Sequence, residues 1–457
     1  MLSHSPAGGG AKWLLIALWL SLTLAPAALA QDPATPAAPP DPLTLTLDTP
    51  AYSLRPSGDG LTVVDIEGYG PQGQPGDPLL PARAIDVALP PDADPATLTL
   101  AITAATVVDV PGAYQIAPAP PPVTSPERQP YVEWGPNAAQ IVDGRNTAVY
   151  GHDAFYPAAV VSLESTGALR QWQAARLLYA PVQYNPVTGQ LRVTTAVSLT
   201  LSYGRLSAGQ LAQAAPAGDT LLDDVAAQQF VNYDQAQPWY GGAAAPAALP
   251  GYVVITTNQI YLASTKMDAF LDHKSAQGYQ TWLVTEDNYG SLSGQAPNGR
   301  AEKIRQWLKT NCASKNILYV LLIGSPDPDE PGVADSVGDL PMKMLYPRYE
   351  QTDYRESPSD YFYADLTGNW DLDGDTYYGE FVGDRGANGM DYLADVYVGR
   401  IPVYTARSGW AATLDSILQK TMDYELASNV GWRRKALLPM PFSDASTDAA
   451  YLAEQMK

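Results

Sequence analysis

The chain has 457 residues, enough for two domains and linkers, and its 46% hydrophobic content with 28 Tyr and 10 Trp argues against wholesale disorder. Lys and Arg number 27 against 48 Asp and Glu, so the net charge of −21 argues against nucleic acid or an anionic membrane surface as a partner.

Residues 1–30 read as a secretory signal peptide. Lys12 supplies the positive charge, Trp13 to Leu24 the apolar stretch, and Ala28-Leu29-Ala30 the small-residue cleavage site. The apolar stretch is about half the ~20 residues that span a bilayer. The expectation is a chain that is secreted, extracellular or at the cell surface, with no membrane span after signal removal. Residues 31–42 are a Pro/Ala linker.

From 43 to 205 short apolar and β-branched runs alternate with Pro and Gly. Leu43–Leu47, Leu61–Ile66, Ala84–Leu89, Thr97–Ile102 and Leu191–Tyr203 show the period-two pattern of strands, and their spacing predicts a β-sandwich. Residues 206–250, rich in Ala, Gln, Gly and Pro, read as a linker. No Lys or Arg occurs between Arg205 and Lys266.

From 251 to 457 strands and helices alternate. Tyr252–Thr256, Gln280–Thr285, Ile317–Ile323, Val396–Arg400 and Lys435–Met440 read as strands. Helices are expected over 260–277, around Ile304 and Leu308, and over 406–427. Continuous apolar strands joined by helices predict a doubly wound α/β domain with a parallel sheet. A last helical segment, 444–457, has an N-cap at Ser446 or Thr447 and no closing residue, so the domain is expected to be truncated at its C-terminus.

Cys312 is the only cysteine, so no intrachain disulfide can form. A nucleophilic thiol wants an adjacent base, and His4, His152 and His273 all lie in other segments. Small-residue packing is the expectation for Cys312. Gly383 to Gly389 has glycines three apart but no following helix, and no Walker loop occurs, so nucleotide binding has little support.

The insertion 353–395 holds eleven acids, among which Asp371, Asp373 and Asp375 alternate around Gly374. Such a loop suits a hard cation, and Ca²⁺ takes six to eight oxygens. A second candidate is Asp391 to Asp395, with a backbone oxygen between the two acids. The alternative is a solvated acidic loop.

Taken in order, several segments resemble the gingipain-type family of secreted cysteine peptidases. They are Gly76–Pro81, Tyr156-Pro157 and Pro181–Leu191 in the first part, then Tyr319–Gly324, Pro358–Asp365, Asp395–Pro402, Tyr424-Glu425 and Trp432. The resemblance implies a propeptide, a caspase-like catalytic domain, protein or peptide substrates, and a Cys nucleophile activated by His. It places both catalytic residues beyond the Trp432 region. Neither His273 nor Cys312 matches those positions, so no catalytic residue is assigned and this chain is expected to be inactive. The resemblance also implies Asp391, the Leu393 backbone oxygen and Asp395 as calcium ligands. Ser325 stands where the family has another such Asp. Asp444 or Asp448 is the candidate for a specificity carboxylate. The alternative function is a non-catalytic, calcium-binding pseudo-peptidase.

Overall fold

The computed structural model describes residues 41–57, 60–121, 123–124, 131–132, 134–207, 220–240, 249–328, 338–346, 357–380 and 383–434. The signal, most of the Pro/Ala linker, the strand expected at 435–440, the helix expected at 444–457, and Asp444 and Asp448 lie outside these residues.

In the first part, alternation of Leu and Thr makes β1 (Leu43–Asp48) a one-faced strand, with Leu43 and Leu47 buried and Thr44 and Thr46 exposed. The other strands that matter are β2 (Leu80–Ala88), β3 (Ala93–Val110), β4 (Val161–Leu169), β5 (Trp172–Tyr179), β6 (Val182–Asn185) and β7 (Gln190–Arg205). β7 pairs antiparallel with β1, β3 and β6, and β5 pairs antiparallel with β4 and β2. Leu43, Val197, Leu199 and Leu201 of the first sheet and Val87, Val161, Leu177 and Tyr179 of the second share one core.

The stretch expected to be a linker contains packed structure, and this corrects the boundary. Helix α1 (Asp223–Gln229) and the turns to Tyr240 carry Leu222, Phe230, Trp239 and Tyr240 into that same core. Trp172 at the start of β5 is 1% exposed; Tyr240 lies 4.4 Å and Tyr233 5.2 Å from it between ring centroids. The Ala/Gln-rich composition hid four apolar anchors spaced too irregularly for a helix pattern.

In the second part, β8 (Gly251–Ile255), β9 (Gln280–Val284), β10 (Ile317–Gly324) and β11 (Tyr397–Pro402) form a parallel sheet in the order β9-β8-β10-β11. Helices α2 (Met267–Ala276) and α4 (Trp410–Leu426) cover one face with Phe270, Leu414 and Leu418 against Val254 and Ile323. Helix α3 (Arg300–Asn311) and the insertion cover the other, with Ile304, Leu308 and Phe362 against Val253, Ile255 and Leu322. The single helix expected over 260–277 is two, Asn258–Ala263 and α2. Ser264 and Thr265 break it by donating their hydroxyls to Asp415 of α4 at 2.6 and 2.7 Å.

The strand order reverses between β8 and β10, so the sheet's topological switch point lies at the carboxyl ends of those two strands, where such sheets place their chemistry. No helix among the described residues is long and apolar enough to cross a membrane.

Candidate functional site

At the switch point stand Thr256, Thr257, Gly324 and Ser325, with the Thr256 hydroxyl bonded to the Ile323 carbonyl at 2.7 Å. Cys312 sits at the opposite, amino-terminal edge. It ends α3, and its carbonyl accepts from the Ile317 N–H at the start of β10 at 2.9 Å. His273 projects from α2 onto Glu425 of α4 at 2.8 Å, beside Lys274, which reaches the same carboxylate at 2.5 Å. Glu425 is held below the usual carboxylate range by those two partners, against the upward pull of burial. His152 is exposed in the first part. Among the described residues, neither His152 nor His273 lies beside Cys312.

Asp371, Asp373 and Asp375 do come together: one oxygen of each lies within 4.8 Å of the others. Gly374 at φ +80° makes the turn that lets alternate carboxylates face inward. Asp371 is buried while Asp373 and Asp375 are exposed. Each accepts one backbone N–H, from Thr376, Asp375 and Tyr377 respectively, at 2.8–3.3 Å. Beneath the loop Asp384, fully buried, accepts from the Leu372 and Glu380 N–H groups at 2.5 and 3.0 Å. Burial pushes its carboxyl up to about 6. The donor set is all oxygen and leaves one side open to solvent, which fits a hard cation held by Asp371, Asp373 and Asp375.

Asp391 and Asp395 are 3% exposed and meet Asp365, which is fully buried. Burial, then the charge of Asp365, pushes Asp395 up to about 7. Asp391 lies well above the carboxylate range for the same reasons, with Asp395 adding to the repulsion. All the carboxylate oxygens are hydrogen-bonded. Asp365 accepts from the Gly368 N–H at 2.7 Å and the Trp370 indole at 2.6 Å. Asp391 accepts from the Leu393 N–H at 2.7 Å, the Thr367 hydroxyl at 3.1 Å and the Ala168 N–H at 3.2 Å. Asp395 accepts from the Leu366 N–H at 2.8 Å and the Arg170 N–H at 3.0 Å.

Two of those donors, Ala168 and Arg170, belong to the β4–β5 hairpin of the first part. The Arg170 guanidinium continues inward to the Ile317 carbonyl at 2.6 Å, the Asp395 carbonyl at 3.3 Å and the Cys312 sulfur at 3.6 Å. Leu393 packs in the core shared by the two sheets of the first part. With their oxygens facing N–H and O–H donors, Asp391 and Asp395 do not offer a cation the open set that Asp371, Asp373 and Asp375 do. Asp365, Arg170 and Arg305, whose guanidinium donates to the Asp365 carbonyl at 2.7 and 2.9 Å, were absent from the sequence-based site. Asp365 closes the Pro358–Asp365 segment and is one of the eleven acids of the insertion, but nothing in its spacing joined it to Asp391 and Asp395.

Residues 246–457 match the family described as Peptidase family C25, and residues 60–238 match its propeptide, Propeptide_C25. The chain belongs to the gingipain-type peptidase family and carries its propeptide followed by part of its catalytic domain. Gingipain R2 of Porphyromonas gingivalis is 26% identical over 180 residues, covering 38% of this chain and 23% of that protein. Gingipain R1 of the same organism is 27% identical over 184 residues, covering 38% of this chain and 16% of that protein. The aligned region thus spans less than a quarter of these curated relatives. Among solved structures, the complex of Porphyromonas gingivalis RgpB pro- and mature domains is 20% identical and covers 43% of this chain and 94% of that one, with a TM-score of 0.32. A structure on the zymogenic latency of gingipain K from Porphyromonas gingivalis is 22% identical and covers 37% and 97%, with a TM-score of 0.27.

Proposed function

We propose that this chain is the precursor of a secreted, gingipain-like cysteine endopeptidase, with a β-sandwich propeptide seated on a caspase-like catalytic domain. The observation that carries this reading is the β4–β5 hairpin. Its tip from the propeptide-matching part is bonded to Asp391, Asp395 and Ile317 of the peptidase-matching part. The signal segment at 1–30 supports export. The intact enzyme hydrolyses peptide bonds of protein substrates through an acyl-enzyme, with the His and Cys of that step supplied by neither His152, His273 nor Cys312. Asp371, Asp373 and Asp375 hold a structural Ca²⁺, which neutralises the loop's crowded carboxylates.

The test is hydrolysis of a peptide panel by the purified 457-residue chain under reducing conditions. No thiol-dependent turnover is expected, and Cys312→Ala should change nothing. Turnover abolished by Cys312→Ala would overturn the assignment. A second reading, a non-catalytic calcium-binding pseudo-peptidase, is favoured by the absence of any His–Cys contact among the described residues. Activity in a product of the same locus that carries a histidine and a cysteine at the sheet's carboxyl edge separates the two.

A further inference from the structure

We infer that β3 is a dimerisation edge, on which a second copy of this chain pairs antiparallel about a two-fold axis at Thr106.

Among the described residues β3 pairs with β7 alone, so its outer edge carries a row of unpaired main-chain groups. Every residue from Ala101 to Asp109 is exposed, whereas β7 opposite buries Val193, Val197 and Leu199. A strand lying on a core would alternate; this one is open on both faces. Ile102, Val107 and Val108 are 42%, 45% and 45% exposed. From Ala96 to Val108 the sequence has no charge, no Pro and no Gly, although the chain as a whole carries −21. The Lys and Pro that keep edge strands from pairing are therefore missing here. A bulge stands at Thr103, where the register with β7 shifts and the hydroxyl donates to the Ser198 carbonyl at 3.2 Å. From Ala104 to Asp109 β3 runs on without an extra residue.

This run is complementary to itself. The Thr106 carbonyl accepts the Thr195 hydroxyl of β7 at 3.3 Å, so the main-chain groups of Thr106 face inward. The pleat then turns those of Ala105 and Val107 outward. Pairing about Thr106 sets Ala105 opposite Val107 of the second copy, and these two exchange both hydrogen bonds. Ala104 falls opposite Val108, so a small residue meets a branched one on each face. Thr106 meets its own copy in the closer type of pair, with ~4.5 Å between Cα atoms. Charge favours the same register. Asp109 faces Thr103 rather than another acid, and the two Asp109 stand ~20 Å apart, beyond the ~8 Å screening length of physiological salt. An uncharged edge is thus where two strongly acidic chains can approach, and a contact of this symmetry closes as a dimer.

The experiment is sedimentation equilibrium of the full chain from about 1 to 100 μM, paired with hydrogen exchange at the Ala105 and Val107 amides. Dimer should grow with concentration, and protection of both amides should grow with it. Val107→Pro removes an outward N–H, which an edge strand tolerates, and should weaken dimerisation roughly tenfold or more because two hydrogen bonds are lost per dimer. Val107→Lys gives the same test if Val107→Pro does not fold. In a Cys312→Ala background, Thr106→Cys should cross-link two chains on oxidation while Ile102→Cys should not. A chain that stays monomeric throughout the series would overturn the inference, as would a dimer that folded Val107 variants leave intact. Protection of Ala105 and Val107 that is independent of concentration would mean that a segment of the same chain covers the edge, and would overturn it too. A dimer that cross-links through Ile102→Cys and not through Thr106→Cys would refute the axis.

Discussion

Arg305 reaches from α3 across Phe362, with its guanidinium carbon 4.8 Å from the ring centroid, to the carbonyls of Asp365 and Gly368 at 2.7 and 2.8 Å. It is 4% exposed, and its loss would leave two buried carbonyls and the Asp365 charge uncompensated. Arg305→Ala should therefore destabilise the chain by about 3–5 kcal/mol in urea unfolding. Arg305→Lys should recover only part of this, because an ammonium cannot fork between the two carbonyls. Asp77 offers a pH reading away from the candidate cation loops. Burial raises its carboxyl above the usual range, although Asn146 and Tyr156 donate to it at 2.8 and 3.1 Å. A raised carboxyl favours the protonated native state, so its contribution is fully present below the unfolded value near 4 and is lost as pH rises through the folded value. Stability of the wild type should fall across that window relative to Asp77→Asn, as thermal melts at stepped pH would reveal. The alternating acids at 371–375 were legible because their chemistry resides in sequence spacing. Arg170 was not, since its role depends on backbone N–H groups and on a partner more than two hundred residues away.

Strand alternation placed β1, β2 and β7, and continuous apolar runs placed β8, β9 and β10, within a few residues of their observed ends. It failed where packing rather than pattern decides. The run expected at Thr97–Ile102 is the middle of β3, whose pairing with β7 continues from Ala93 to Val110 through register shifts, with Val107 and Val108 each 45% exposed. The residues after 220 were missed because their anchors are aromatic rings docked on Trp172. That docking makes a prediction at this scale. Trp172→Ala should cost about 3–5 kcal/mol and expose Phe230 and Tyr240 to chymotrypsin before the sheets unfold. Trp172→Phe should keep the segment seated and lose only the 3.0 Å indole bond to Asp223, a change of about 1 kcal/mol. The insertion is tied to the sheet differently. Arg400 of β11 forks onto Asp360 at 2.6 and 2.7 Å and bonds the Leu340 carbonyl at 2.6 Å.

Across the whole molecule the two family-matching parts are not separate bodies joined by a tether, since Leu318 and Leu393 of the peptidase part are buried in the same core as Leu43 and Trp172 of the propeptide part. Stabilising any loop of that shared assembly should be felt in global unfolding. Saturating Ca²⁺ should raise the melting temperature, with about 2.7 kcal/mol of stabilisation at a hundredfold excess over Kd. Paired Asp371→Asn and Asp373→Asn substitutions should remove the shift; no shift in the wild type at millimolar Ca²⁺ would remove the loop as a site. The single thiol gives the assembly another use. Cys312 is partly buried at the amino edge of the sheet, and Arg170 of the propeptide hairpin lies 3.6 Å from its sulfur. One maleimide dye on that unique sulfur would make the protein its own gauge of zymogen opening, since label uptake is blocked or slowed while the arginine covers it.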